Sequence, residues 1–184
     1  TGTFVINQGA DYTASNDVTL SMSVNGNEEG LQMSFSESGG PWTAPEPFQE
    51  TKNWTLSGGD GDKTVGVRLR DKAGNYTDYS DTIKLDTVKP TGSVTINSGA
   101  AVVNSRNVIL ALTASDTSNI DVRLANEDNA WSSWGAFSTT KDWELTGGDG
   151  TKTVQMEIRD QAGNVTTVSD AIRLDQNVPD VEGV

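Results

Sequence analysis

Cysteine and histidine are both missing from this 184-residue sequence. Without cysteine there is no disulfide frame and no thiolate metal centre, although this absence assigns no compartment. Without histidine the commonest general base, the commonest zinc ligand and every imidazole-based triad are excluded. No apolar run is long enough for a signal peptide or a membrane span, so any export signal is expected outside this stretch. Basic residues are scarce as well: 13 Lys and Arg stand against 26 Asp and Glu, a net charge of −13. The acidity is even, with 13 acids against 7 bases up to Pro90 and 13 against 6 beyond it. Such a polyanion repels phosphate backbones and anionic bilayers, so neither nucleic-acid binding nor membrane insertion is expected. A solvated acidic surface accounts for the charge, and attraction of divalent cations is the alternative.

What the sequence does contain is a repeat. TGTFVINQGA at the start returns as TGSVTINSGA at Thr91, and Trp42 to Pro90 aligns without gaps on Trp131 to Pro179, with 25 identities in 49 positions. The shared core reads KxWxLxGGDGxKTV, then RDxAGNxTxxSDxIxLD and a closing proline. Self-similarity at this period marks tandem modules. The expected units are 1–90 and 91–184, each folding alone, with the last residues opening a further linker or repeat. Both ends read as cuts inside an array.

Within each unit the pattern is one of short strands and turns, with no helical period. Val18, Leu20, Met22 and Val24 alternate with polar residues, as do Val108, Leu110, Leu112 and Ala114. Leu31, Met33 and Phe35 predict the next strand, matched by Ile120, Val122 and Leu124. Trp54 and Leu56 share a strand face that ends at the Gly58–Gly61 turn, and Val65, Val67 and Leu69 follow it. About seven strands per unit predict an all-β fold of two tandem immunoglobulin-like β-sandwiches. With no disulfide between the sheets, Trp54 and Trp143 are expected as core anchors.

Four motifs together, W-x-x-W, W-x-L-x-x-GDG-x-K-x-V, R-D-x-A-G-N and L-D-x-x-x-P, resemble the tandem bacterial immunoglobulin-like (fibronectin type III-like) repeats of large cell-surface and secreted proteins. The second unit carries them at Trp131 and Trp134, Trp143–Val154, Arg159–Asn164 and Leu174–Pro179. The first carries all but one, since Pro45 stands where the second Trp of the pair would be. The resemblance implies an extracellular location at a bacterial surface and a role as stalk, adhesin segment or accessory module.

Candidate chemistry is sparse. Asp71 with Asn75, and Asp160 with Asn164, sit at turn positions where such side chains ordinarily bond their own backbone. GGDG joins two strands and lacks the Lys-Ser/Thr of a phosphate loop. Three N-x-T triplets, at Asn53, Asn75 and Asn164, match the glycosylation pattern, and in a chain rich in Asn and Thr coincidence explains them. Trp131, Trp134 and Phe137, with Trp42 in the first unit, form an aromatic strip that could stack on sugar rings; covering the core edge is the favoured account. Pro45 makes Trp134 the most expendable tryptophan.

The expected function is therefore a non-catalytic spacer that holds a functional region away from a bacterial surface, with neighbouring repeats as its partners. The five-residue link Asp86–Pro90 is too short and too proline-limited for free swinging. The alternative is an adhesion module that binds a glycan or a surface protein through Trp131, Trp134 and Phe137. No cofactor is required. One further expectation is a calcium site at the junction, formed by Asp60, Asp86, Asp116, Asp160 and Asn164, because calcium takes six to eight oxygen ligands; solvated loop acids are the simpler account.

Overall fold

The computed structural model describes residues 2–25 and 29–178 and divides the chain into two compact units, Thr1–Val88 and Lys89–Val184. Pro179, the closing proline of the second repeat, lies outside the described residues. The first unit comprises β1 (Gly2–Ile6), β2 (Tyr12–Thr13), β3 (Asp17–Val24), β4 (Gln32–Glu37), β5 (Glu46–Pro47), β6 (Thr51–Thr55), β7 (Gly61–Arg70) and β8 (Tyr76–Leu85). The second comprises β9 (Thr91–Ile96), β10 (Val102–Val103), β11 (Asn107–Ser115), β12 (Asp121–Asn126), β13 (Gly135–Ala136), β14 (Thr140–Glu144), β15 (Gly150–Arg159) and β16 (Val165–Leu174). A single 3-10 turn, Asn97–Gly99, is the only helical element among the described residues.

Each unit is a sandwich of a three-stranded and a five-stranded sheet. In the first the orders are β1-β3-β6 and β2-β8-β7-β4-β5; in the second they are β9-β11-β14 and β10-β16-β15-β12-β13. All pairings are antiparallel except the two-residue ladders of β2 on β8 and β10 on β16. The strand count exceeds seven because β2, β5, β10 and β13 are two-residue segments, too short to leave a periodic signal.

Alternation builds both cores. In β3, Val18, Leu20 and Met22 are buried while Thr19 and Ser23 are exposed. They meet Phe35, Leu56, Val65, Val67, Ile83 and Leu85. The second core repeats this with Val108, Leu110, Leu112, Leu145, Met156, Ile158 and Ile172. Trp54 and Trp143 differ from expectation in degree. Both pack against their cores but remain half-buried, because each indole reaches past the core edge to a polar partner. The Nε1 of Trp54 donates to Glu37 Oε2 at 3.3 Å, and that of Trp143 to Asn126 Oδ1 at 2.8 Å. An indole N–H in a fully apolar core would lose its partner.

The repeated sequence signatures are clamps within each sandwich. Asn7 and Asn97 hold φ of 45° and 43° and accept through Oδ1 from β3 and β11, from Thr19 N at 2.9 Å and Ile109 N at 2.8 Å. Asp81 and Asp170 each tie the two sheets, since Oδ2 accepts from Ile6 N and Ile96 N, both at 2.8 Å. In the GGDG turns Gly61 and Gly150 have φ of 126° and 124°, open only to glycine. Asp60 there accepts from Thr87 N and Thr87 Oγ1, each at 3.0 Å. Asp149 likewise holds Gln176 N at 2.9 Å and Asn177 Nδ2 at 2.6 Å.

Candidate functional site

The aromatic segment lies over the outer face of the five-stranded sheet, and its placement begins with one hydroxyl residue. Thr43 N donates to Phe35 O at 2.8 Å, and Phe35 N donates to Thr43 Oγ1 at 2.9 Å. In the second unit Ser132 makes the same pair with Leu124, at 2.8 and 3.1 Å. The segment therefore covers the strand's outer side, which is why Ser34 and Ser36 are buried as well as the core-facing Met33 and Phe35. The residue before each hydroxyl, Trp42 or Trp131, is carried onto the sheet face.

Both units use that face to stack aromatic rings on arginine. In the first, the Arg68 guanidinium lies 4.5 Å from the Trp42 ring centre and 4.1 Å from that of Tyr76, and it forks onto Asp78 with two bonds of 2.8 Å. In the second, Arg123 lies 4.9 Å from Trp131 and 4.6 Å from Trp134, while Arg159 lies 4.3 Å from the same Trp134 ring. Arg123 pairs with Glu157 at 2.6 Å and Arg159 with Asp121 at 3.1 Å.

The two stacks are displaced by one strand. One rung across β4, β7 and β8 reads Ser34, Arg68, Asp78; the equivalent rung across β12, β15 and β16 reads Arg123, Glu157, Thr167. Cation and anion have each moved one strand toward the sheet edge, and the second aromatic has moved with them. It is Tyr76, on the far side, in the first unit and Trp134, on the edge side, in the second. Pro45 and Val165 occupy the vacated aromatic positions. Cross-strand neighbours of opposite charge attract and like charges repel, so the pair can shift only as a unit.

Three carboxyls are held below their ordinary values. The hydrogen bond from Arg68 lowers Asp78, and that from Asn75 lowers Asp71. Burial pushes Glu127 up, but hydrogen bonds from Thr146 and Thr153 and the charge of Lys152 outweigh it and leave the group lowered. A carboxyl depressed in the folded state contributes stability above its unfolded value, about 4, and that contribution disappears as pH falls through the folded value. Thermal midpoints are thus expected to stay level from neutrality to about pH 5, with no histidine to titrate between, and to drop below about pH 4. Asp78→Asn should flatten the acid limb of the first unit; an unchanged limb would discount the Arg68–Asp78 pair.

Of the residues expected at an aromatic binding strip, Trp131 and Trp134 are half-buried beneath guanidinium groups, and Phe137 packs against the second core. The acids considered for calcium divide between the units. Asp60 and Asp86 belong to the first, where Asp60 holds Thr87 and Asp86 Oδ1 accepts from Val88 N at 3.2 Å. In the second, Asp116 Oδ1 accepts from Ser118 N at 2.8 Å. Asp160 and Asn164 bond each other, with Asn164 N and Nδ2 donating to the two carboxylate oxygens at 2.8 and 2.7 Å. The residues that sequence reasoning missed are the stacking arginines: Arg68 and Arg123 lie where the repeats differ, and Arg159 matches Arg70 in the shared R-D-x-A-G-N turn, where nothing signals its stacking on Trp134.

No family model matches the chain, and no curated protein matches it. Among solved structures it is similar to the fibronectin(III)-like modules of Clostridium thermocellum CbhA, at 15% identity and a TM-score of 0.63, over 94% of this chain and 93% of that one. It is also similar to the FN1-FN3 domains of chicken CNTN1, at 12% identity and a TM-score of 0.54, over 90% of this chain and 62% of that one. At these identities the likeness establishes the fold: two tandem sandwiches of the immunoglobulin and fibronectin type III-like class.

Proposed function

We propose that the chain is a pair of non-catalytic spacer repeats from an extracellular bacterial surface protein, holding a functional region away from the cell. The observation that carries this reading is where the repeat's invariant polar residues go. Asn7 and Asn97, Asp60 and Asp149, Asp81 and Asp170, and both Asp–Asn turn pairs bond within their own sandwich. A module selected for ligand binding would keep polar groups that converge on open space. These close strands, turns and exits instead, as a load-bearing module requires. The ring stacks argue the same way against a glycan platform, since two guanidinium groups already lie over Trp134.

Forced unfolding of the full chain tests the reading. Two separate rupture events are expected, each releasing about 30 nm of chain for a unit of this length. A glycan array should at the same time remain silent. A single rupture at low force, or binding to a glycan that Trp134→Ala abolishes, would replace the spacer with an adhesion module.

A further inference from the structure

Strand β9 is preceded directly by Pro90, and the second unit holds that proline by a specific contact. Thr166 in β16 donates from Oγ1 to the Pro90 carbonyl at 2.6 Å, and Pro90 is buried. The counterpart of Thr166 in the first unit is Thr77, an identical residue at the same place in β8, and there it is exposed. Thr77 lines a cleft together with Val24, Leu31, Leu69 and Tyr79, and with the polar Asn25, Asp71 and Asn75. Gly2, the first residue of β1, sits on the rim, and its N–H donates to the Tyr79 hydroxyl at 3.0 Å. By the repeat alignment the position equivalent to Pro90 is the one preceding Thr1, and Gly2 on the rim sets this cleft at that end of β1.

From this correspondence we infer that the cleft at Thr77 is a receiving site for the proline-ended exit segment, Leu-Asp-x-x-x-Pro, of a like repeat, with the proline carbonyl bonded to Thr77 Oγ1. Proline suits the position on chemical grounds. Its ring is apolar, suited to the Val24, Leu31 and Leu69 part of the lining, and it has no N–H to leave unpaired when covered. Its carbonyl is the one polar group it brings, and a hydroxyl is waiting for it. Asp71 does not compete for that role, because its oxygens accept from Asn75 N and Asn75 Nδ2, both at 2.8 Å. The site deepens the spacer reading by naming where one repeat receives the next, and it rests on that array reading.

The experiment fuses the chain's own linker sequence, Asp-Thr-Val-Lys-Pro, ahead of Thr1 of the full chain and follows the thermal midpoint of the first unit by hydrogen exchange or calorimetry. The extension should raise that midpoint by about 5 °C, the size expected for one well-made buried contact in a domain this small. Thr77→Val should abolish the gain in the extended chain while shifting the unextended chain by less than about 1 °C, and the same extension ending in Ala should give less than half of it. No rise, or a rise that survives Thr77→Val, would overturn the assignment. Two rupture events with no effect of the extension would leave the spacer standing and remove only this site.

Discussion

Trp143→Ala is expected to destabilise the second unit by about 3 kcal/mol, and Trp134→Ala by only about 1 kcal/mol. Trp143 packs against the second core and satisfies Asn126 Oδ1 at 2.8 Å. Truncation therefore removes apolar contact and leaves a part-buried amide oxygen without its donor. The half-buried position of the ring places the loss at the lower end of the range for tryptophan. Trp134 makes no comparable contribution to the core. What it loses is its stacking on Arg123 and Arg159, and surface contacts of that type are worth about 0.5–1 kcal/mol each. Denaturant midpoints of the two variants beside the parent decide the matter. Equal losses would mean that the outer-face segment, rather than the indole at the core edge, holds the sandwich closed.

The contrast between those residues also shows which features of the fold were legible in the sequence. Strands β3, β7, β11 and β15 announce themselves by alternation, because one of their faces meets the core and the other carries exposed or half-buried, mostly polar residues. Strand β4 does not behave that way. Its Ser34 and Ser36 read as solvent-facing, yet the segment anchored by Thr43 covers them, a tertiary effect that no local pattern encodes. The half-burial of Trp54 and Trp143 is hidden for a related reason. Alternation reports the direction of a side chain, whereas the depth of an indole depends on where its N–H finds an acceptor, here Glu37 or Asn126.

The candidate site was legible only in its aromatic half. Comparing the repeats draws attention to identical positions, and those are the clamps of each sandwich. Arg68, Arg123 and their charged partners lie at positions where the repeats differ, and they differ together: Ser34 against Arg123, Arg68 against Glu157, Asp78 against Thr167, and Pro45 against Trp134. Each exchange looks arbitrary alone. Only the strand register, which places all three polar positions on one rung, turns them into a single displaced device.

That displacement predicts an all-or-none substitution series, with Glu157→Arg in the second unit expected to cost about 2–3 kcal/mol. The single change deletes the 2.6 Å pair with Arg123 and sets two cations directly opposite each other on β12 and β15. Adding Thr167→Asp supplies an anion on β16, the neighbour that Asp78 provides for Arg68. Adding Arg123→Ser then removes the opposing cation and completes the first unit's rung. Val165→Tyr restores the missing ring, since Tyr76 is the corresponding residue over Arg68. The fourfold variant is expected to return to within about 1 kcal/mol of the parent, although its parts taken singly are destabilising, because contacting residues couple and do not add. Urea midpoints across the series measure this directly. If the losses simply accumulated, so that the fourfold variant were the least stable, the two stacks would be unrelated surface contacts and the one-strand shift between the repeats would have no energetic meaning.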